Sequence, residues 1–412
     1  MKPRATDLEF NAVARRPAYA LFSASVLNWA AFFATVTVVT VAARALSGSN
    51  MLAGLPLAAG ALGQALGANL FGRLSARHGR RLIMLKGPLV SALGATLGLA
   101  GLMANNYWLL VGGAMLVGGG VGAVHLVRFT AAELVEAERR GWALGLAVWA
   151  GTLGSLMGAN LVDWVGRMVE GVLGTPYGGA FLVAIAGFLL CWLLLWTALP
   201  FDLPRVAVTT RSGPPLKRQA AIALGLPAVQ IAMLVLLSAQ ATMVLVMTAT
   251  PLHIEDTDYD LQVVGLAISA LAVGMFAFAP MVGKLVDRAG HLLALGLGMV
   301  VTWYSVFLSG TAPYDGYLPL IAGLFLLGLG WCLCFVAGSS MLFASAPAEV
   351  RQVLEGVADW ATWTTVMLGS LGAGMLMSGI GYGSLNLVAA MPMLVVVLLV
   401  IAIPRFRTAL SA

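Results

Sequence analysis

The sequence predicts an all-α membrane protein, with twelve transmembrane helices in two pseudo-symmetric six-helix bundles. Three observations lead there. The chain is 60% hydrophobic and only 10% charged, where a soluble protein carries about 25% charged residues. Its apolar residues gather into runs of roughly 20, the length that crosses the hydrocarbon of a bilayer. Nearly all its basic residues fall in alternate connections between those runs.

The runs come first. In the first half they cover 18–45, 51–74, 82–103, 108–129, 142–164 and 178–199. In the second half they cover 226–250, 263–286, 292–309, 318–343, 353–377 and 385–403. Helices satisfy their own backbone hydrogen bonds in lipid, and these runs are too long and too uniformly apolar to be barrel strands. Residues 1–17 are polar and basic and lack the short apolar core and small-residue cleavage site of a signal peptide. The first run is therefore expected to be a retained span.

Charge then fixes the register. Lys2, Arg4, Arg15 and Arg16 precede the first run, and Arg73, Arg77, Arg80, Arg81 and Lys86 follow the second. The remaining basic residues keep the same alternation, so that of the 23 Lys and Arg only Arg44 and Arg167 fall on the other side. Basic loops stay cytoplasmic, which predicts an inner-membrane protein with both termini in the cytoplasm. A net charge of +6 then reflects membrane orientation. No basic stripe is interleaved with exposed aromatics, so nucleic-acid binding is excluded. Cys191, Cys332 and Cys334 all lie inside apolar runs and read as packing residues.

The two halves match at a constant offset of 211 residues. Gly72, Leu74, Arg77 and Gly79 correspond to Gly283, Leu285, Arg288 and Gly290; Glu138 and Arg140 to Glu349 and Arg351; Gly145, Trp149 and Gly158 to Gly356, Trp360 and Gly369. The offset predicts two parallel repeats. An N-terminal bundle (1–200) and a C-terminal bundle (220–412) are expected, joined by a Pro-containing basic linker (201–219).

Two segments carry a recognisable pattern. Gly72-Arg73-Leu74-Ser75-Ala76-Arg77-His78-Gly79-Arg80-Arg81 follows the second run, and Gly283-Lys284-Leu285-Val286-Asp287-Arg288-Ala289-Gly290 follows the eighth. Both resemble the Gly-x-Leu-x-Asp-Arg-x-Gly signature of the major facilitator superfamily, and with twelve runs the resemblance covers nearly the whole chain. It implies a secondary transporter working by alternating access. It also implies that the signature's Asp meets a helix N-terminus of the opposite half, where the helix dipole favours an anion. Asp287 keeps that residue and Ala76 replaces it; Asp359 is the alternative partner for Arg73 or Arg77. Glu133, in an acidic-then-basic element that resembles the family's, is expected to bind the basic residues after the second run. Gly154-x-x-x-Gly158-Ala159 resembles a signature of proton-coupled drug exporters with Ala in place of Pro, or else simply lets two helices pack closely.

Ionisable and polar groups at membrane depth are costly and usually functional. His125 and Arg128 lie three apart on one helix face; His125, with an ordinary pKa near 6.5, is the candidate proton carrier. Asn28 and Trp29 on the first helix, and Gln240 and Thr242 on the seventh, are candidate substrate contacts. Arg44 and its repeat mate Glu255 end those same two helices; they form either an outer-gate ion pair or two separate solvated charges. His253, Glu255, Asp256, Asp258 and Asp260 crowd the following loop, as a solvated acidic rim or, less simply, a divalent-cation site.

Few fixed charges and many apolar and aromatic residues point to proton-coupled export of a small amphiphilic or drug-like compound. Uptake of a small metabolite or organic acid, with Arg128 as anion partner, is the alternative. A membrane-embedded enzyme or assembly factor is more remote, because no acid, base or metal constellation has catalytic spacing. No phosphate-binding loop is present, so no cofactor is expected and a proton gradient is the expected driving force. The expected partners are a small-molecule substrate and the lipid bilayer, with the chain working as a monomer.

Overall fold

The computed structural model describes residues 5–78, 80–124, 140–198, 224–257, 259–312, 317–345, 351–404 and 406. Among them the chain is helical throughout, apart from short turns. In chain order the helices are α1 (Ala5–Ser47), α2 (Asn50–Ala53), α3 (Leu55–His78), α4 (Arg80–Met103), α5 (Tyr107–Val124), α6 (Arg140–Leu173) and α7 (Gly178–Ala198). Next come α8 (Pro227–Asp256), α9 (Leu261–Phe276), α10 (Ala279–Gly310), α11 (Leu318–Ser345) and α12 (Arg351–Ala402).

The twelve predicted spans all find their helices, but several of the loops expected between them are missing. The predicted second span is α2 and α3, separated only by Gly54. The eighth is α9 with the first turns of α10, and the ninth is the rest of α10, past a corner at Gly290 (φ +83°, ψ 166°). The eleventh and twelfth share α12, which turns at Gly381 (φ +74°, ψ 174°). That conformation is closed to residues with a Cβ and open to glycine, so one residue replaces a loop. Apolar helical stretches of 50 residues (Leu261–Gly310) and 43 residues (Trp360–Ala402) are thus each long enough to cross twice.

The chain divides into two compact units, Met1–Ser47 with Ala59–Val208, and Gly48–Ala58 with Thr209–Ala412. The predicted linker lies outside the described residues. In the first unit α1 packs against α6 and α7, and α4 against α5 and α7. In the second, α8 packs against α11 and α12, and α10 against α11. The short α2 belongs to the second unit and lies on α12.

Lipid is as apolar as leucine, so helices in a membrane associate through close packing and interhelical hydrogen bonds. Small residues make this packing possible here. A methyl group on Gly63 would stand 2.0 Å from the Met115 carbonyl oxygen, and one on its repeat mate Gly274 would stand 2.2 Å from that of Phe325. Likewise Gly120 fits against Ser91 of α4, and Gly330 against Thr302 of α10, which is Ser91's repeat mate. Serine hydroxyls reinforce the same helix pairs, Ser91 donating to the Val117 carbonyl (3.0 Å) and Ser305 to that of Gly323 (2.7 Å). The 211-residue repeat is therefore a repeat of helix contacts as well as of residue types.

Buried apolar clusters fill the space left between backbones. Ala31, Ala92, Ala95, Val117, Val121, Ala184 and Phe188 close around α1 in the first unit. A larger cluster joins α8, α11 and α12 in the second, from Val229 and Leu236 to Met341 and Val396. The outer surface is apolar too: Val172, Leu318, Trp108 and Met281 are each at least two-thirds exposed. Facing water, such a surface would aggregate; facing hydrocarbon, it costs nothing.

Candidate substrate and proton sites

The first site grows out of the packing of α1 on α6. Gly154 and Gly158 on α6 admit α1 so closely that a Cβ at Gly158 would stand 2.0 Å from the Ala30 carbonyl oxygen, and one at Gly154 2.5 Å from Trp29 Cβ. The glycine pair that resembles an exporter signature is thus a packing device here, and it sets the position of the middle of α1. Trp29 projects from that point, half-buried, with its ring 5.7 Å from Phe33 and 5.8 Å from Phe32. Beside it Asn28 is 3% exposed, and its Oδ1 has no hydrogen-bond partner among the described residues. The side-chain oxygen of buried Gln64 on α3 is in the same condition. Leaving a buried amide oxygen unpaired costs about 1–3 kcal/mol, a cost that a bound ligand or water removes.

The repeat mate of Trp29 is Gln240, at the middle of α8. Its Oε1 accepts a hydrogen bond from Trp331 Nε1 of α11 at 2.9 Å. Trp331 in turn stacks on Phe335 one turn along, with centroids 4.5 Å apart and planes at 15°. Each unit therefore places a tryptophan against a phenylalanine at mid-helix, and in the second unit the tryptophan also bonds a carboxamide. Trp331 and Phe335 escaped the sequence reading. Their four-residue spacing is legible as a shared face, but nothing in the sequence says that this face meets Gln240. Thr242 is fully buried and donates to the Ser238 and Ala389 carbonyls at 3.0 and 2.6 Å. Its hydroxyl is spent on joining α8 to α12.

A second polar region lies at the far end of α8. Pro251 removes one backbone donor there, and the helix continues to Asp256. His253 lies flat on Tyr382 of α12, with centroids 4.1 Å apart and planes at 5°. Thr250 donates to the Val246 carbonyl (2.7 Å), so its oxygen receives the Tyr382 hydroxyl (2.9 Å). Asn386 donates to the Tyr382 carbonyl and accepts from Ser309 of α10, at 2.9 and 3.0 Å. A cavity of about 390 Å³ opens beside the ring pair, lined by Asn50, His253, Asp256, Gly310, Met377 and Tyr382 among others. The sequence reading placed His253 in a solvated acidic rim; it is instead half-buried and stacked. Among the described residues no group of three or more His, Cys, Asp and Glu is placed to hold a metal ion.

The other sequence-predicted residues fall as follows. His125, Arg128, Glu133 and Gly79 lie outside the described residues. Gly72, Arg73 and Arg77 are within α3, Arg80 begins α4 and Asp359 is in α12; their backbones alone are described. In the second signature copy Asp287 and Arg288 are exposed, and the final Gly290 makes the corner. Both copies were expected to be loops. They are helical, the first up to His78 and the second up to its last glycine. Arg44 is in the last turn of α1 in the first unit and Glu255 in the last turn of α8 in the second. Elsewhere in the first unit, and not among those predicted residues, Asp163 forms an ion pair with Arg167 one turn along α6.

The model of the Major Facilitator Superfamily matches residues 21–237 and again 231–409. The chain belongs to that superfamily. It is 27% identical to an uncharacterized MFS-type transporter, YdeG of Bacillus subtilis, over 94% of this chain and 91% of that one. It is 26% identical to the riboflavin transporter RfnT of Brucella anthropi over 83% and 84% of the two chains. A multi-drug efflux pump PmrA homolog of Lactococcus lactis is 31% identical over 37% of this chain and 35% of that protein. Among solved structures, a D-xylose–proton symporter superposes with a TM-score of 0.73 at 19% identity, covering 94% of this chain and 98% of that one. The protein is a multi-pass membrane transporter of the superfamily fold.

Proposed function

We propose that this transporter exports a small amphiphilic, drug-like compound from the cytoplasm in exchange for protons. The observation that carries the reading is the middle of α1, which holds an unpaired buried amide oxygen at Asn28 and, within the next two turns, the Trp29–Phe33 ring pair. A ligand with a flat apolar body and one donor group fits that chemistry. A sugar needs many hydrogen-bonding side chains, and a dianion needs several arginines. The partial match to a multi-drug efflux protein supports export. In this reading both termini are cytoplasmic, the membrane is the inner one, the chain acts as a monomer and His125 carries the coupled proton, with Arg128 one turn along. Arg44 and Glu255 act as the outer gate.

One observation favours a second reading. The riboflavin transporter matches over most of both chains, so uptake of a flat aromatic metabolite is the alternative. A thermal-shift ligand screen on purified protein, followed by proteoliposome flux under an imposed pH gradient, separates the two. Export predicts that protons entering from the outer face drive the ligand the other way, and that collapsing the gradient stops net movement. Ligand and protons moving in the same direction would overturn export. Flux indifferent to the gradient would overturn coupling.

A further inference from the structure

We propose that His253 is a proton-binding site of this transporter, set in the second unit where α8, α10 and α12 meet and read out by Tyr382. Four features of the structure converge on it. The imidazole lies parallel to the Tyr382 ring at 4.1 Å, inside the roughly 6 Å range over which a cation is attracted to an aromatic face. Burial lowers the imidazole's pKa below its ordinary value, and Asp256, three positions along on the same face of α8, opposes that shift by attracting the protonated ring. The cavity beside the pair gives the imidazole a route to water. Tyr382 itself is 6% exposed and tied to α8 through Thr250. A charge appearing on His253 therefore acts on the ring that fastens α12 to α8, just past the Gly381 corner.

Histidine suits the task because its ordinary pKa lies near 6.5, so its charge changes between about pH 5 and 8. Among the described residues, these titratable groups lie around it. Tyr382 faces it from α12 and Asp256 from its own helix; Glu255, two positions along, points to another side. The cavity residues contributed by α2 and the end of α10 (Asn50, Gly310, Thr311) carry no charge. Asp258 and Asp315 lie outside the described residues. The site is distinct from His125 and does not depend on which compound is carried or in which direction.

The chain holds four histidines, so histidine-selective ¹³C labelling of the full protein in lipid nanodiscs gives a readable spectrum, and His253→Gln assigns the signal. We expect that signal to titrate, with its midpoint below that of a free imidazole because burial outweighs the attraction of Asp256. Its midpoint should fall by about half a unit or more in Asp256→Asn, where the attracting charge is gone, and in Tyr382→Leu, where the ring is gone. In Tyr382→Phe the ring remains and the midpoint should stay near that of the native protein. A His253 signal that shows no titration in the folded protein overturns the proposal, and so does a midpoint unmoved by Asp256→Asn. Asp256 is exposed, so that variant serves even if Tyr382→Leu does not fold. The readout involves no transported compound, so failure to find a substrate leaves it standing.

Discussion

Trp331 donates its indole N–H to Gln240 across 2.9 Å, tying α11 to the middle of α8. Gln240 is buried at 5% exposure and Trp331 is half-buried. Replacing Trp331 by Phe leaves the carboxamide oxygen without its donor, and stranding a buried acceptor costs about 1–3 kcal/mol. Trp331→Phe should therefore lower the thermal midpoint of the purified protein. Adding Gln240→Leu should recover part of the loss, because removing both partners of a buried bond is cheaper than removing one. A double variant as unstable as the sum of the two singles would show that the bond carries no coupling.

Asn28 presents the opposite case, a buried amide whose oxygen has no partner. If it serves the substrate, it is a stability cost retained for function. Asn28→Leu should then raise the thermal midpoint while lowering ligand flux by about tenfold or more, the value of one lost hydrogen bond to a bound ligand. Thermal shift and flux on one preparation check both halves. A drop in stability with unchanged flux would make Asn28 a structural residue.

How much of this was legible beforehand follows from where the information sits. Span number, the order of the halves and the 211-residue repeat are encoded in runs and offsets, which a sequence displays directly. The corners at Gly290 and Gly381 were not legible, because a glycine at positive φ looks like any other glycine until the chain path is known. His253 was misjudged for a related reason. It stands next to Glu255 and Asp256 in sequence, and acidic neighbours signal solvent, but its decisive neighbour is Tyr382, 129 residues away. Pairings such as Trp331 with Gln240 are tertiary and leave no local trace.

The two glycine corners have open space around them, with nothing within 4 Å of a built Cβ at either position. Substitution there meets backbone strain alone. Gly290→Ala and Gly381→Ala should each cost about 1–3 kcal/mol, the penalty of holding an L-residue in an extended backbone conformation at positive φ. Asn tolerates the left-handed helical region, where ψ is near +45°, but not this one, so it should cost about as much as Ala at both sites. Thermal unfolding of the four single variants checks this, and an Asn variant clearly more stable than its Ala counterpart would contradict it.

A contrast within α6 tests whether its glycines are packing devices. Gly158 meets α1 so closely that a methyl group would stand 2.0 Å from the Ala30 carbonyl oxygen, whereas Gly171, on the same helix, has nothing within 4 Å. Gly158→Ala must push α1 and α6 apart, at a cost in the 1–3 kcal/mol range of overpacked cores, and the displacement should reach Trp29 and Asn28. Gly171→Ala adds a methyl group in open space and replaces a poor helix former by the best one, a gain of up to about 1 kcal/mol. Unfolding midpoints should therefore move in opposite directions for two chemically identical changes, and only Gly158→Ala should impair transport. Intrinsic tryptophan fluorescence offers a second check, since separating α1 from α6 alters the surroundings of Trp29. If both variants behaved alike, the close approach of α1 to α6 would not govern the position of Asn28 and Trp29, the proposed substrate contacts on α1.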